Sequence, residues 1–426
     1  MKFHSKDISL AKKLDADDPL KNFRDEFVIT EEKIIYLNGN SLGRLPLKTQ
    51  SNLNQVINQQ WGERLVRNWN EGWFDLPSKV GAKIAKIIGA QEDEVIIADS
   101  TSINLYKLVL AALQFQSERK KIVSDEFNFP SDLYVIQGII KQLQKDHSIA
   151  IVKSKDGITI DSEDINMAIN SDTALLTLSH TCFKSAFLYD MENITKLAHD
   201  SGALMLWDLS HSVGVVDIDL NKSNVDMAIG CTYKYLNGGP GAPAFIYVRK
   251  DLQDKLTPSI TGWFGDSNPF EFNLEYSASE GIKKFLTGTP PIVSLSAVDS
   301  SIDLILDAGI DNIRIKSIKL TEYLVFLINK ILLPLEFKIG SPLNENFRGS
   351  HISIKHPEAF KIVKAMTDEK NKIVVIPDFR EPDNIRLGLS PLYTSFEEVW
   401  LAVNRIEEIV LTKEYQKYQE IKSVVT

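Results

Sequence analysis

Asp226-Met-Ala-Ile-Gly-Cys-Thr-Tyr-Lys-Tyr-Leu-Asn-Gly-Gly-Pro-Gly241 is the stretch whose reading decides the fold of this chain. The apolar run from Met227 to Cys231 reads as a short buried strand. Lys234 follows at its end between Tyr233 and Tyr235, and the glycines beyond it let backbone approach a ligand closely. Upstream, a second apolar run, 203–207, ends in Asp208, with His211 close behind. A lysine and an acid at the ends of two strands of one sheet suggest a pyridoxal phosphate (PLP) site: the lysine forms a Schiff base and the aspartate holds the pyridinium nitrogen. Without these neighbours, Lys234 would read as a lysine snorkelling at a strand end.

Working outward, strand-like runs recur at 95–98, 121–124, 149–152, 174–178, 203–207, 227–231 and 244–248, with amphipathic helical stretches such as 103–115, 132–143 and 194–200 between most of them. Continuous apolar strands alternating with helices predict a sheet buried on both faces and largely parallel. The link from Lys234 to Ala244 is too short for a crossover helix, so the last strand is expected antiparallel. Before this region come a polar, helix-leaning N-terminus, a strand at 34–37, the turn Asn38-Gly-Asn-Ser-Leu-Gly43, a helix from Pro46 to about 66, an aromatic-rich loop at 67–73 and a helix at about 77–88. After it, 251–291 reads as irregular and 292–332 as a long helical region. Strands at 350–354, 373–376 and 385–389 and helices at 359–368 and 396–418 complete a smaller α+β unit. The expected organisation is an N-terminal segment, 1–45, packing with the small domain; a large cofactor domain, 46–291; and a small C-terminal domain, 292–426.

At 426 residues the chain is long enough to bury a large core, and 43% hydrophobic with 25% charged residues is the balance of a soluble globular protein. A net charge of −9 argues against a nucleic-acid partner. The two cysteines, Cys182 and Cys231, lie in apolar contexts, which fits a reducing compartment rather than a disulfide framework. No signal peptide and no membrane-spanning run is read, so a cytoplasmic location is expected and the sequon at Asn193 carries no weight. A P-loop and a His-Glu-x-x-His helix are both absent, and the cysteines lack metal-ligand spacing, so no metal is expected.

Three further motifs fit the same site. Asp99-Ser-Thr-Ser102 precedes a helix after the first strand of the sheet; its hydroxyls suit either a simple cap or a phosphate at the helix N-terminus. Phe127-Asn-Phe-Pro-Ser-Asp132 follows the second strand; Phe129 is placed to stack on a pyridine ring and Asp132 to bond near it, although a proline-initiated helix with an acid in its first turn explains the same residues. Arg386 lies in an apolar strand and needs a partner, which a substrate carboxylate or a structural salt bridge would supply.

Taken in order, these motifs resemble those of the kynureninase family of fold-type-I PLP enzymes. The resemblance runs from Tyr36-Leu-Asn-Gly-Asn-Ser-Leu-Gly43 to Pro391-Leu-Tyr-Thr-Ser-Phe396. It is most specific at Cys231-Thr-Tyr-Lys-Tyr-Leu-Asn-Gly-Gly-Pro-Gly241, Phe129-Pro-Ser-Asp132, Trp207-Asp-Leu-Ser-His211 and Gly262-Trp-Phe-Gly265, with Arg348-Gly-Ser-His351 and Arg380-Glu-Pro382 matching as well. It implies a PLP-dependent transferase-like α/β fold with a seven-stranded sheet, and hydrolysis of L-kynurenine to anthranilate and L-alanine. It further implies that Lys234 holds the cofactor and moves the substrate Cα proton, that Asp208 pairs with the ring nitrogen supported by Asp132 and His211, and that Phe129 stacks on the ring. Thr101, Ser102 and Tyr233 would hold the phosphate, with Trp263 and Thr289 reaching in from a second subunit of a homodimer. Arg386 would bind the substrate carboxylate, Trp69 and Ser41 would lie near the aryl group, and Tyr233 would assist attack of water on the γ-carbonyl. Thr289 matches bacterial members, whereas animal enzymes that favour 3-hydroxykynurenine carry asparagine, so kynurenine is the expected better substrate. Asp266 stands where a histidine is common in the family.

Two classes of rival reading compete, another fold-type-I enzyme and a non-catalytic relative. A desulfurase needs a mobile nucleophilic cysteine late in the chain, and none follows Cys231. A class V aminotransferase would consume a keto acid and release no anthranilate. A non-catalytic relative would be expected to have lost Lys234, Asp208 or Arg386, and all three are present.

Overall fold

The structure is a computed structural model and describes residues 3, 5–144 and 146–419. After the helix Ile8–Ala16 comes a short strand, β1 (Ile34–Tyr36). Then follow β2 (Val95–Ala98), β3 (Lys121–Asp125), β4 (Ser148–Val152), β5 (Thr173–Ser179), β6 (Leu204–Asp208), β7 (Met227–Gly230) and β8 (Ala244–Val248). These last seven form one sheet in the order β2-β8-β7-β6-β5-β3-β4. The neighbours from β7 through β4 are parallel, while β8 is antiparallel to both β7 and β2. The sheet is therefore mixed and mostly parallel, as the alternation of apolar runs and helices predicts.

Side chains alternate across this sheet. Val95, Ile97, Met205 and Trp207 enter one core with the helix Leu76–Ile87, while Ile96, Ala98, Leu204 and Leu206 enter another with the helix Thr101–Phe115. Both faces are covered, which is why the strands are apolar at every position rather than at every second one. Because β8 reverses direction twice over, β2 runs the same way as β7. The C-terminal ends of β2, β3, β5, β6 and β7 therefore open on one edge of the sheet, where folds of this kind place their ligands.

The rest of the chain adds β9 (Lys338–Ile339), β10 (His351–Lys355), β11 (Val374–Ile376), β12 (Asp378–Arg380) and β13 (Asn384–Gly388). Four of them make a sheet in the order β12-β13-β10-β9. The strand expected at 373–376 joins β1 instead, in a parallel pair. A further core holds Ala11, Ile35 and Leu37 together with Leu320, Ile352, Leu387 and Val403. From β1 the chain turns toward the large sheet: the Gly43 amide donates to the Tyr233 carbonyl at 2.8 Å, and a Cβ on Gly43 would stand 2.3 Å from the Lys234 carbonyl, so only glycine fits there.

One expectation about helices is corrected, and two regions gain detail. The helix from Pro46 does not run evenly to 66: Leu47–Gln55 is α-helical, Val56–Arg64 widens into π turns, and Leu65–Trp69 tightens into 3-10 turns. The supposed loop at 67–73 thus begins inside helical backbone. Gly62 and the positive φ of 54° at Leu65 mark where regular geometry is lost. The region 292–332 is two α-helices, Ile292–Ala308 and Ile310–Leu327, divided at Gly309, whose φ of 76° ends the first. Finally, 251–291 contains the short turns Trp263–Gly265 and Gly281–Phe285. No helix among the described residues is long and apolar enough to cross a membrane.

Candidate active site

A cavity of about 560 Å³ lies at the C-terminal edge of the large sheet. Its walls are built from strand ends, as follows. Beyond β6, Asp208 is buried; its Oδ1 accepts hydrogen bonds from the Ser210 amide at 2.9 Å and the Ser210 hydroxyl at 2.6 Å. Beyond β7, Lys234 is half-buried, and its Nζ donates to His211 Nε2 at 2.8 Å. An ammonium has no lone pair, so His211 accepts at Nε2 and carries its proton on Nδ1. Burial holds the His211 imidazole well below its ordinary range, and the nearby Lys234, Arg386, His351 and Arg380 charges push the same way.

The segment after β3 supplies Phe129 and Asp132. The Phe129 amide donates to Asn128 Oδ1, and the amides of Phe127 and Asn128 both donate to the buried Asp125 carboxylate, which fixes the turn. Lys234 Nζ lies 6.0 Å from the centre of the Phe129 ring and 5.9 Å from that of Tyr233. Asp132 is buried. Burial raises its carboxyl well above the usual range, Asp208 raises it further, and Lys234 opposes them.

After β2, Thr101 and Ser102 open the helix Thr101–Phe115, and the Ser102 and Ser131 hydroxyls are 3.1 Å apart. The preceding Ser100 makes no side-chain cap, so the dipole end of this helix faces the cavity with its amides uncapped by a side chain. Thr289 lines the cavity of its own chain.

Of the residues predicted from sequence, Thr101, Ser102, Phe129, Asp132, Asp208, His211, Tyr233, Lys234 and Thr289 therefore surround one space. Four lie outside its lining. Trp69 packs edge-on against Trp73 at 5.5 Å and at a tilt against Phe264 at 5.9 Å. Trp263 is 38% exposed and packs on Phe264 and Phe270. Arg386 is buried behind His211 and His351; its Nη1 donates to the Phe183 carbonyl, and its Nη2 is ion-paired with Asp378 and bonded to Ser41 Oγ at 3.3 Å. Ser41 in turn donates to Asp378 at 3.2 Å. Of the two partners considered for Arg386, the structural ion pair is the one present, with Asp378. Burial lowers the Arg386 guanidinium to about 10.

The residue that sequence reasoning missed is Asp378, which Arg386, Arg380 and Ser41 all engage. An acid next to an apolar strand was the available signal. Asp266 does not face the cavity: its oxygens accept from the amides of Asn268 at 2.8 Å and Ser277 at 2.9 Å, so it closes a surface loop.

The chemistry of the lining fits PLP. Two buried polar atoms of lining residues, Asp132 Oδ2 and His211 Nδ1, have no hydrogen-bond partner, although buried polar groups are nearly always satisfied. Lys234 supplies an amine, Asp208 an acid for a ring nitrogen, Phe129 an aromatic face, and the start of Thr101–Phe115 a place for a phosphate.

Comparison with known proteins agrees. The chain is 40% identical over 419 residues to the kynureninase of Pseudomonas fluorescens, covering 97% of this chain and 98% of the relative. It is 40% identical over 408 residues to that of Burkholderia mallei, covering 95% of each. This chain belongs to the kynureninase family. The model of the kynureninase C-terminal domain matches residues 313–406. Among solved structures, a cysteine desulfurase of Thermococcus onnurineus NA1 superposes with a TM-score of 0.76 at 20% identity over 94% of this chain and 98% of its own. The lyase C-DES, solved with glycine covalently linked to its PLP cofactor, superposes with a TM-score of 0.76 at 15% identity over 88% and 96%. At these identities the superpositions show the fold, that of the fold-type-I PLP enzymes.

Proposed function

We propose that this chain hydrolyses L-kynurenine to anthranilate and L-alanine, with 3-hydroxykynurenine a poorer substrate. The observation that carries the reading is near-full-length similarity to kynureninases, joined to a cavity in which Lys234, Asp208, Asp132 and His211 converge. Bound PLP supplies an electron sink for cleavage of the bond between Cβ and Cγ. Lys234 holds the cofactor and then carries the proton removed from the substrate Cα. Asp208, with Asp132 and His211 beside it, keeps a proton at the ring nitrogen. Phe129 offers its face to the ring, and Thr101, Ser102 and Tyr233 hold the phosphate. Cys231, burial and the neighbouring acids push the Tyr233 phenol upward, so it keeps its proton at neutral pH and serves water addition as a donor to the γ-carbonyl oxygen rather than as a standing base. Arg386 takes the substrate carboxylate in exchange for Asp378, with Ser41 beside the fork and Trp69 toward the aryl group.

The same reading makes the enzyme a homodimer, with Trp263 of each subunit serving the other's site; Thr289, expected to cross over as well, lines the cavity of its own chain instead. Exposed apolar side chains concentrated in two segments that touch each other support the dimer: Trp61, Leu65 and Val66 are 55–75% exposed, and Phe270, Phe272 and Leu274 are 58–104% exposed. Contacts of Trp69 and Phe74 with Phe264 and Phe270 join the two segments. Patches of that kind usually mark an interface. We place the enzyme in the cytoplasm, in tryptophan catabolism or NAD biosynthesis, and divide it into a cofactor domain, 46–291, and a small domain, 292–426, which the segment 1–45 joins.

A desulfurase reading has no nucleophile: Cys182 and Cys231 are both buried, and burial raises both thiols. The test is product analysis. Incubation with PLP and L-kynurenine should give anthranilate and alanine in equal amounts without a keto acid. Keto-acid-dependent loss of kynurenine without anthranilate would make the protein an aminotransferase.

A further inference from the structure

Lys107 is a lysine inside an apolar helix. Its neighbours Leu105, Leu108, Val109 and Leu110 are core residues, and its own side chain is 0% exposed. Such a charge survives burial only when it is paired and bonded. Its Nζ donates to Asp99 Oδ2 and to the Phe285 carbonyl at 2.7 Å.

Asp99 is unusual in its turn. Its φ of 40° lies in the left-handed region that non-glycine residues avoid, so the surrounding contacts must hold it there. Its carboxylate accepts from Thr287 Oγ1 at 3.3 Å. The Thr287 carbonyl then accepts from the Phe264 amide at 3.0 Å, and Gly262 passes so close that a Cβ would stand 2.4 Å from that oxygen. A chain of contacts therefore runs from Lys107 through Asp99 to the segment 285–289 and the turn that carries Trp263.

Asp99 also lines the cavity next to Thr101 and Ser102, and its side chain is 29% exposed. A bare carboxylate there would repel a phosphate dianion across a short distance in a partly desolvated site.

We propose that Lys107 and Asp99 are a positioning pair for the phosphate end of the cofactor site: Lys107 cancels the Asp99 charge, which leaves the carboxylate free to fasten the segment 285–289 beside Thr101 and Ser102. The inference rests on the reading of the cavity as a PLP site. Neither residue touches the reacting atoms. Removing the lysine leaves an unpaired acid against the phosphate, and removing the acid charge as well relieves it.

The experiment compares two ligands that differ only in the phosphate. Apo-protein of wild type, Lys107→Met, Asp99→Asn and the double variant is titrated with PLP and with pyridoxal, following the absorbance of the bound form, with thermal unfolding of each apo-protein alongside. Lys107→Met is expected to weaken PLP about tenfold or more while pyridoxal moves by less than about twofold, and the double variant should recover most of the PLP affinity. Equal losses for both ligands, or a double variant no better than Lys107→Met, would overturn the proposal and leave the pair purely structural. Should Lys107→Met not fold alone, Asp99→Asn decides: with the Lys107 charge no longer opposed by an acid at the phosphate end, its PLP-to-pyridoxal affinity ratio should rise about threefold or more above wild type, and a ratio at or below wild type overturns the proposal. A wild type that binds neither ligand removes the cofactor reading itself, which is a different failure.

Discussion

Lys234 and His211 are bonded directly, Nζ to Nε2, at 2.8 Å. The buried imidazole is held neutral, so it accepts from the ammonium without competing for its charge. The bond holds the lysine about 6 Å from the centres of both the Phe129 and Tyr233 rings. Replacing His211 by Phe removes the acceptor and the group beside Asp208. We expect kcat/KM for kynurenine to fall by about 10² or more, with PLP still bound; steady-state kinetics on the reconstituted variant measures this. Unchanged kinetics would remove His211 from the site's workings.

The buried histidines give stability a pH dependence of known sign. Burial lowers His180 to about 3, whereas in the unfolded chain it titrates near ~6.5. Above ~6.5 both states are neutral and nothing changes. As pH falls below it, the unfolded chain takes up a proton that the fold refuses, and stability drops by up to ~1.4 kcal/mol per pH unit for that group. Asp125, raised to about 6 by burial, acts in the opposite sense as it takes up a proton in the fold. The clean comparison is therefore His180→Leu against wild type. The variant should gain relative stability steadily between pH 6.5 and 5, read by denaturant unfolding of apo-protein. A constant difference would contradict the account.

Arg386 without substrate is held by Asp378, and Arg380 lies 3.0 Å from the same carboxylate. Arg386→Ala should raise KM for kynurenine strongly and cost about 3 kcal/mol of stability, because it breaks a buried pair from one side. Combining it with Asp378→Ala should restore much of the stability and none of the KM. Thermal unfolding and kinetics of the two variants separate the structural role from the binding one.

Thr289 lines the cavity. Wild type should show a kcat/KM for kynurenine at least several-fold above that for 3-hydroxykynurenine, and Thr289→Asn should narrow the ratio by roughly tenfold. A wild type that prefers the hydroxylated substrate would contradict the assignment.

The large sheet was legible because burial on both faces writes itself as unbroken apolar runs; 95–98 and 203–207 are read within a residue of their observed ends. The antiparallel β8 followed from the shortness of its link. Strand order was not legible: that β2 lies at the edge beside β8 depends on contacts between segments far apart in sequence. The site was legible where a residue sits at a strand end of this sheet, as Lys234, Asp208 and Phe129 do. It was less so where a side chain works through another. Asp378 reveals itself only when Arg386 and Ser41 converge on it, and Lys107 only when Asp99 folds back over it. Even so, a lysine set among Leu105, Leu108 and Val109 already signalled a buried charge in search of a partner.

The most direct test of the central claim is a single assay of Lys234. Wild type and Lys234→Ala are loaded with PLP, given L-kynurenine, and followed by anthranilate fluorescence. The account predicts rapid anthranilate release by wild type and a loss of about 10⁴-fold or more in the variant. A wild type that binds PLP and kynurenine yet releases no anthranilate, or a variant that releases it as fast as wild type, would contradict it.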